Sequence, residues 1–140
     1  MKASLLVKDI MTKEVITLQQ NDSLELAEKL FNQYKIRHLP VVKKDVLIGM
    51  VSKTDLQRIS FLDSLNDTES TVDEVIYQLF TVDQIMIKNI KTVNQNTSLK
   101  EVSEIFISKE YHSLPVVVDD KLVGIITTTD LLKHFLSYCK

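Results

Sequence analysis

The sequence predicts an α/β fold made of two β-α-β-β-α units. Three observations carry that prediction. Residues 7–59 align with residues 82–134 at a constant offset of 75, as from Gly49 to Gly124, without an insertion. Self-similarity of this kind is a statement about architecture. The chain's two glycines and two prolines fall at equivalent places, Gly49 with Gly124 and Pro40 with Pro115. Both residue types mark backbone constraints, so one backbone is built twice. Each copy also carries a stretch of helical periodicity followed by two β-prone stretches around a polar turn.

The elements follow in order. Residues 7–11 read as a short helical turn and residues 15–18 as a short strand. Asp22 is placed to cap a helix, with Glu25 completing a capping box. Leu24, Ala27, Leu30, Phe31 and Tyr34 then recur at helical spacing and form one apolar face. Residues 38–42 and 46–52 read as strands around the turn Lys43-Lys44-Asp45, and Thr54 or Asp55 opens the next helix. Residues 60–71 are polar and read as a solvated joining segment. Asp63, Asp67 and Glu69 lie there without a metal-loop motif. A helix is expected over 72–80, with Val72, Val75, Ile76 and Leu79 on one side. In the second copy, residues 91–93 are the short strand. Thr97 or Ser98 caps a helix bearing Leu99, Val102, Ile105 and Phe106. Residues 113–118 and 121–127 are strands flanking Asp119-Asp120, and Asp130 opens the last helix. The expected organisation is a first repeat over 1–61, a linker with a short helix over 62–81 and a second repeat over 82–140. A repeat this small buries its own apolar faces poorly, so the two are expected to pack together with pseudo-twofold symmetry. Two apolar-faced helices per repeat also suggest a homodimer.

Composition bounds the function. Of 140 residues, 44% are hydrophobic and 26% charged, a globular balance. A formal charge of -2 supplies no general field for nucleic acid. The single cysteine, Cys139, excludes an internal disulfide framework and fits a reducing compartment. No apolar run approaches the roughly 20 residues needed to span a bilayer, and the first residues hold no signal-peptide core. A cytoplasmic protein without membrane contact is the expectation. There is no nucleophile elbow, Walker A sequence, dinucleotide-binding glycine motif or zinc spacing. No catalytic residue and no metal ligand is therefore nominated, and the chain reads as a non-enzyme.

The chemistry concentrates in Gly49-Met50-Val51-Ser52-Lys53-Thr54-Asp55 and its copy Gly124-Ile125-Ile126-Thr127-Thr128-Thr129-Asp130. Each runs from an apolar strand through hydroxyls into a helix. Backbone N–H groups and the helix dipole at such a turn attract an anion. The aspartate suits a neutral diol such as a ribose, whose hydroxyls it accepts from. The plainer reading is that Asp55 and Asp130 cap their helices, and capping and binding can coexist.

At these residues the chain resembles the CBS (cystathionine-β-synthase-type) domain, two copies of which form a Bateman module. The resemblance rests on Ile36-Arg37-His38-Leu39-Pro40-Val41-Val42 and Tyr111-His112-Ser113-Leu114-Pro115-Val116-Val117. It also rests on the two glycine-to-aspartate turns and the Ile10-Met11 and Ile85-Met86 openings. It covers nearly the whole chain and implies a stand-alone pair that senses AMP, ADP, ATP or S-adenosylmethionine in clefts between the repeats. By the same resemblance, Asp55 and Asp130 accept from ribose. Ser52, Thr54, Thr127 and Thr129 donate to phosphates, and Arg37, His38 and His112 add charge or donors. Ile16-Thr17 and Lys91-Thr92 offer backbone edges to adenine. Ile36, Pro40, Met50, Tyr111, Pro115 and Ile125 supply apolar walls. The copies differ: Arg37-His38 faces His112-Ser113 in the alignment. Arginine is permanently charged and binds phosphate bidentately, whereas histidine is mostly neutral, so the clefts are expected to differ in affinity. A regulated partner protein is implied. The alternative is a ligand-free interaction or dimerisation module.

Overall fold

The computed structural model describes residues 5–64 and 79–139, with side chains described outside 60–64. Most of the expected helix over 72–80 and the acidic residues Asp67 and Glu69 lie outside the described residues. The first repeat contains α1 (Val7–Ile10), β1 (Leu18–Gln19), α2 (Leu24–Tyr34), β2 (His38–Lys43), β3 (Val46–Ser52) and α3 (Lys53–Ser64). The second contains α4 (Val82–Ile85), α5 (Leu99–Lys109), β4 (Ser113–Val118), β5 (Lys121–Thr127) and α6 (Thr128–Leu136).

Local chemistry accounts for the element ends. Ser23, one residue after the expected cap Asp22, caps α2 by accepting from Leu26 N–H at 3.1 Å. The Asp22 carboxylate instead accepts from Gln19 N–H at 2.7 Å and shapes the loop before the helix. Ser98 caps α5 in the same way, accepting from Glu101 N–H at 3.1 Å. Leu24, Ala27 and Phe31 are buried as the spacing predicts, while Tyr34 at the end of that stripe stays exposed. The hairpins turn on Lys44-Asp45 and Asp119-Asp120, all four with positive φ between 49° and 70°. That backbone matches the twist of the flanking strands. Both hairpins are antiparallel and bulge at the same place, between Val41 and Val42 and between Val116 and Val117. The expected strand at 15–18 lies later, at Leu18–Gln19, pairing parallel with Val41 and Val42. The expected strand at 91–93 reduces to a parallel bridge between Val93 and Val116. Each segment is held on one side only, which leaves little ladder to extend.

The compact units cut the chain differently from the sequence repeats. One consists of residues 16–90, the other of residues 1–15 with 91–140. Each repeat's opening turn has thus been exchanged. In the unit 16–90, Val82 of α4 is fully buried among Leu18, Leu24, Ala27, Phe31, Leu39, Val41, Val51 and Leu56, with Ile85 and Met86 packed alongside. In the other unit, Val7 of α1 is fully buried among Val93, Val102, Phe106, Leu114, Val116 and Ile126, with Ile10 and Met11 alongside. The first N–H groups of these short helices have no partner within their own turn. Val7 and Lys8 donate to the carbonyls of Thr97 and Gln95, at 2.8 and 3.0 Å. Val82 and Asp83 donate to those of Asp22 and Gln20, at 2.9 and 3.3 Å.

The glycines make room for the exchanged segments. Neither has positive φ, so their conformational freedom is not what the position uses. A Cβ at Gly49 would lie 2.4 Å from Met86 Sδ and 3.1 Å from the Ile87 carbonyl oxygen. One at Gly124 would lie 2.7 Å from Met11 Sδ and 3.0 Å from the Thr12 carbonyl oxygen. The close approach allows two backbone bridges, Met50 with Ile87 and Ile125 with Thr12, each made of two N–H···O bonds of 2.9–3.0 Å. Met11 and Met86 act as flexible fill over a glycine floor.

Gly49→Ala and Gly124→Ala are expected to lower stability by about 1–3 kcal/mol each, the cost of overpacking a filled site. In urea unfolding, pairing Gly124→Ala with Met11→Ala should recover part of that loss, because the two residues share one space. Strict additivity in this cycle would show that the glycine serves something other than clearance.

Candidate functional site

Each unit forms a strand–helix junction from residues distant in sequence. In the unit 16–90, β3 ends at Ser52, opposite His38 of β2. Ser52 Oγ accepts from Asp55 N–H at 3.0 Å. Lys53 N–H donates to the Arg37 carbonyl at 2.8 Å, which fixes the Arg37 backbone at the start of α3. Arg37, His38, Ser52, Thr54 and Asp55 therefore converge on one helix N-terminus. Thr54 and Arg37 are exposed, and Asp55 is half-buried.

The other unit repeats the construction. β5 ends at Thr127, opposite Ser113 of β4, and Thr128 N–H donates to the His112 carbonyl at 3.0 Å. Thr127 Oγ1 accepts from Asp130 N–H, while Asp130 Oδ2 accepts from Thr127 N–H, both at 3.0 Å. His112, Thr127, Thr129 and Asp130 converge as their counterparts do, with His112 and Thr129 exposed. Tyr111, beside His112, is also exposed.

The remaining nominated residues lie farther along the hairpins. Pro40 and Pro115 are buried opposite Met50 and Ile125, two pairs in from the hydroxyl ends of the strands. Ile16 and Ile36 pack against the core of their unit. Thr17 immediately precedes β1, and Lys91 and Thr92 immediately precede the Val93 bridge. Val93 N–H donates to the Pro115 carbonyl at 3.0 Å, so this segment runs beside Pro115.

The aspartates do not open their helices as the sequence suggests. Asp130 is the third residue of α6, and Thr127 is the N-cap. Asp55 is likewise the third residue of α3, which begins at Lys53. The hydroxyls of Ser52 and Thr127 spend an acceptor site on the helix and keep an O–H donor for an incoming group. An incoming anion would meet hydroxyl donors and the helix dipole, and a diol would meet a carboxylate.

The CBS domain family model matches residues 7–61 and 82–137. The chain belongs to the CBS domain family. Its fold is that of a CBS pair, two tandem α/β domains. Among curated relatives, the CBS domain-containing protein YhcV of Bacillus subtilis is 30% identical over 131 residues, covering 94% of this chain and 86% of YhcV. Other relatives are longer. The chain spans 46% of an uncharacterised protein of Methanocaldococcus jannaschii, MJ1225. Among solved structures, CBSX2 in complex with AMP aligns with a TM-score of 0.79 at 26% identity, covering 96% of this chain and 98% of that one. The CBS domain pair of protein MJ0100, in complex with 5′-methylthioadenosine and S-adenosyl-L-methionine, aligns with a TM-score of 0.77 at 27% identity, covering 96% and 98%.

Two residues at this CBS pair's junctions escape the sequence reading. Arg58 Nη1 lies 3.8 Å from Asp55 Oδ1, across one turn of α3. Its spacing of three residues from Asp55 is the signal that could have found it. Arg58 is two-thirds exposed and Asp55 one-quarter, so the pair is screened and worth little to stability. Thr12 reaches the Asp130 carboxylate, with Oγ1 3.3 Å from Oδ1 and 3.5 Å from Oδ2. Separated by 118 residues, that contact leaves no local signal.

The two aspartates therefore differ in structural duty. Asp130 closes a reciprocal cap and Asp55 meets a solvent-screened arginine. Without ligand, Asp130→Ala should cost about 1 kcal/mol, the scale of a lost cap, and Asp55→Ala distinctly less. Chemical denaturation of the two variants checks the order.

Proposed function

We propose that this CBS pair is a regulatory module that binds an adenosine-containing ligand (AMP, ADP, ATP or S-adenosylmethionine) at its two strand–helix junctions and performs no chemistry of its own. The observation that carries the reading is the match, over nearly the full chain, to CBS pairs solved with AMP and with S-adenosyl-L-methionine. The two hydroxyl-and-aspartate turns agree with it. In this reading Asp55 and Asp130 accept from ribose hydroxyls. Ser52, Thr54, Thr127 and Thr129 donate to phosphates or equivalent polar groups, aided by Arg37, His38 and His112. Ile16, Thr17, Lys91 and Thr92 present backbone to adenine. Ile36, Pro40, Tyr111 and Pro115 supply apolar surface. The junction with Arg37 is the stronger phosphate binder, because a guanidinium keeps its charge and its paired donors at any physiological pH.

The module acts in the cytoplasm and passes ligand state to a protein partner by population shift. It self-associates into a homodimer. Leu132, Phe135 and Leu136 project from α6 with more than 60% of their surface exposed, and their spacing of three and four residues gathers them into one stripe. Among the described residues, no helix is long and apolar enough to cross a membrane.

Calorimetry and thermal shift with AMP, ADP, ATP, S-adenosylmethionine and adenosine test the ligand. Asp55→Ala and Asp130→Ala should each weaken binding by about 1–3 kcal/mol, the value of a lost charged hydrogen bond. Arg37→Ala should harm AMP binding more than adenosine binding, with the loss shrinking at high salt. No heat and no stabilisation at millimolar ligand would remove this reading in favour of a ligand-free interaction module. Light scattering at tens of micromolar tests the dimer, and a purely monomeric species would exclude it.

A further inference from the structure

The opening segments, equivalent in backbone, differ in one side chain that matters to the junctions. Thr12 and Ile87 occupy the same repeat position. Each exchanges two backbone hydrogen bonds with a strand, Thr12 with Ile125 and Ile87 with Met50. Thr12 then extends its hydroxyl to the Asp130 carboxylate at 3.3 and 3.5 Å. Ile87 has no hydroxyl to extend, and Asp55 meets Arg58 instead. Among the described residues, one junction is wired to the segment docked beside it by a side-chain hydrogen bond, and its twin is not.

We propose that Thr12 is a positioning residue that couples ligand binding at Asp130 to the docking of the segment 5–12, and that the Asp55 junction lacks this coupling. The inference rests on the adenosine reading above and adds its regulation. A carboxylate has about four lone-pair sites. Thr127 N–H fills one on Oδ2, and the long, shared contact from Thr12 fills at most one more. A ribose diol can use those left. Thr127 and Thr12 hold the carboxylate from two sides, so it is oriented before the diol arrives.

The segment is suited to respond. Beyond Thr12 it is attached through Val7 in the core with Ile10 alongside, Met11 over Gly124, and single backbone bonds to Thr97, Gln95 and Leu99. A four-residue helix anchored by one fully buried valine and a few backbone bonds opens at a cost below that of unfolding the unit. A ligand that steadies Asp130 steadies Thr12, and by reciprocity a docked Thr12 raises ligand affinity by the same factor.

The test uses the full chain carrying Arg37→Ala and Asp55→Ala together, which weakens the other junction by both its charge and its diol acceptor, with AMP as the probe. Calorimetry gives affinity, and amide hydrogen exchange is followed at Thr12 and Ile125, with Met50 and Ile87 as internal controls. AMP should slow exchange at Thr12 and Ile125 by about tenfold and leave Met50 and Ile87 unchanged. Thr12→Val keeps the side-chain shape and the backbone bridge. It should abolish the slowing and weaken AMP about threefold to tenfold, the worth of one net hydrogen bond. Thr12→Ser should restore both, which a packing role would not. AMP heat with equal slowing in Thr12→Val, or with none in the parent, overturns the coupling while leaving the binding reading intact. No heat from the unsubstituted chain with any adenosine ligand overturns the binding reading, and the coupling with it.

Discussion

The structure depends on two methionine-over-glycine contacts. Met86 lies against Gly49 and Met11 against Gly124, at separations where no β-carbon fits. Those contacts let the opening segments come close enough to bridge to Met50 and Ile125. The bridges bring Val82 and Val7 to positions of complete burial. Removing the clearance would strand two buried valines and the paired backbone groups beside them. Complete burial of a side chain of this kind is worth about 1.5–3 kcal/mol, a large fraction of the stability of a small domain.

The same geometry organises the junctions. The strands that receive the opening segments at Met50 and Ile125 end two residues later, at Ser52 and Thr127. Those hydroxyls begin the helices and hold the third residue, an aspartate, by its own N–H. Structural and binding duties therefore fall on the same atoms without conflict. A hydroxyl oxygen accepts from the helix while its hydrogen is available, and a carboxylate that accepts from one backbone N–H still has lone pairs to offer. Arg37 and His112 are drawn to these junctions through their carbonyl oxygens, so their side chains vary while the backbone contact stays the same.

Much of this was legible in the sequence because local rules and the repeat agreed. The hairpins, the strand bounds at 113–118 and 121–127, the apolar faces of α2 and α5 and the convergence of hydroxyl with aspartate follow from period, turn chemistry and equivalent placement. What was misread involved competition among neighbouring polar groups. Ser23 rather than Asp22 caps α2, and Thr127 rather than Asp130 caps α6, because each aspartate accepts instead from an N–H that precedes its helix, that of Gln19 or of Thr127. The short strands were shifted or reduced because a segment of two or three residues has too little pattern to set its register. The exchange of opening turns and the Thr12 contact were illegible in principle. A repeat aligned to itself says which residues are equivalent, not which copy each one packs against.

That exchange bears on how the protein is made. The segment around Val7 is synthesised before the residues that bury it, which belong to the stretch from Val93 to Ile126. The unit 16–90 is continuous in sequence and can close as soon as Val82 and Met86 have emerged. Val7 has to wait until Ile126 has been made, since a contact of such sequence separation forms only after its distant partner exists. In the nascent protein the order of synthesis and the order of assembly run opposite for this segment: it is made before the unit 16–90 and seated after it.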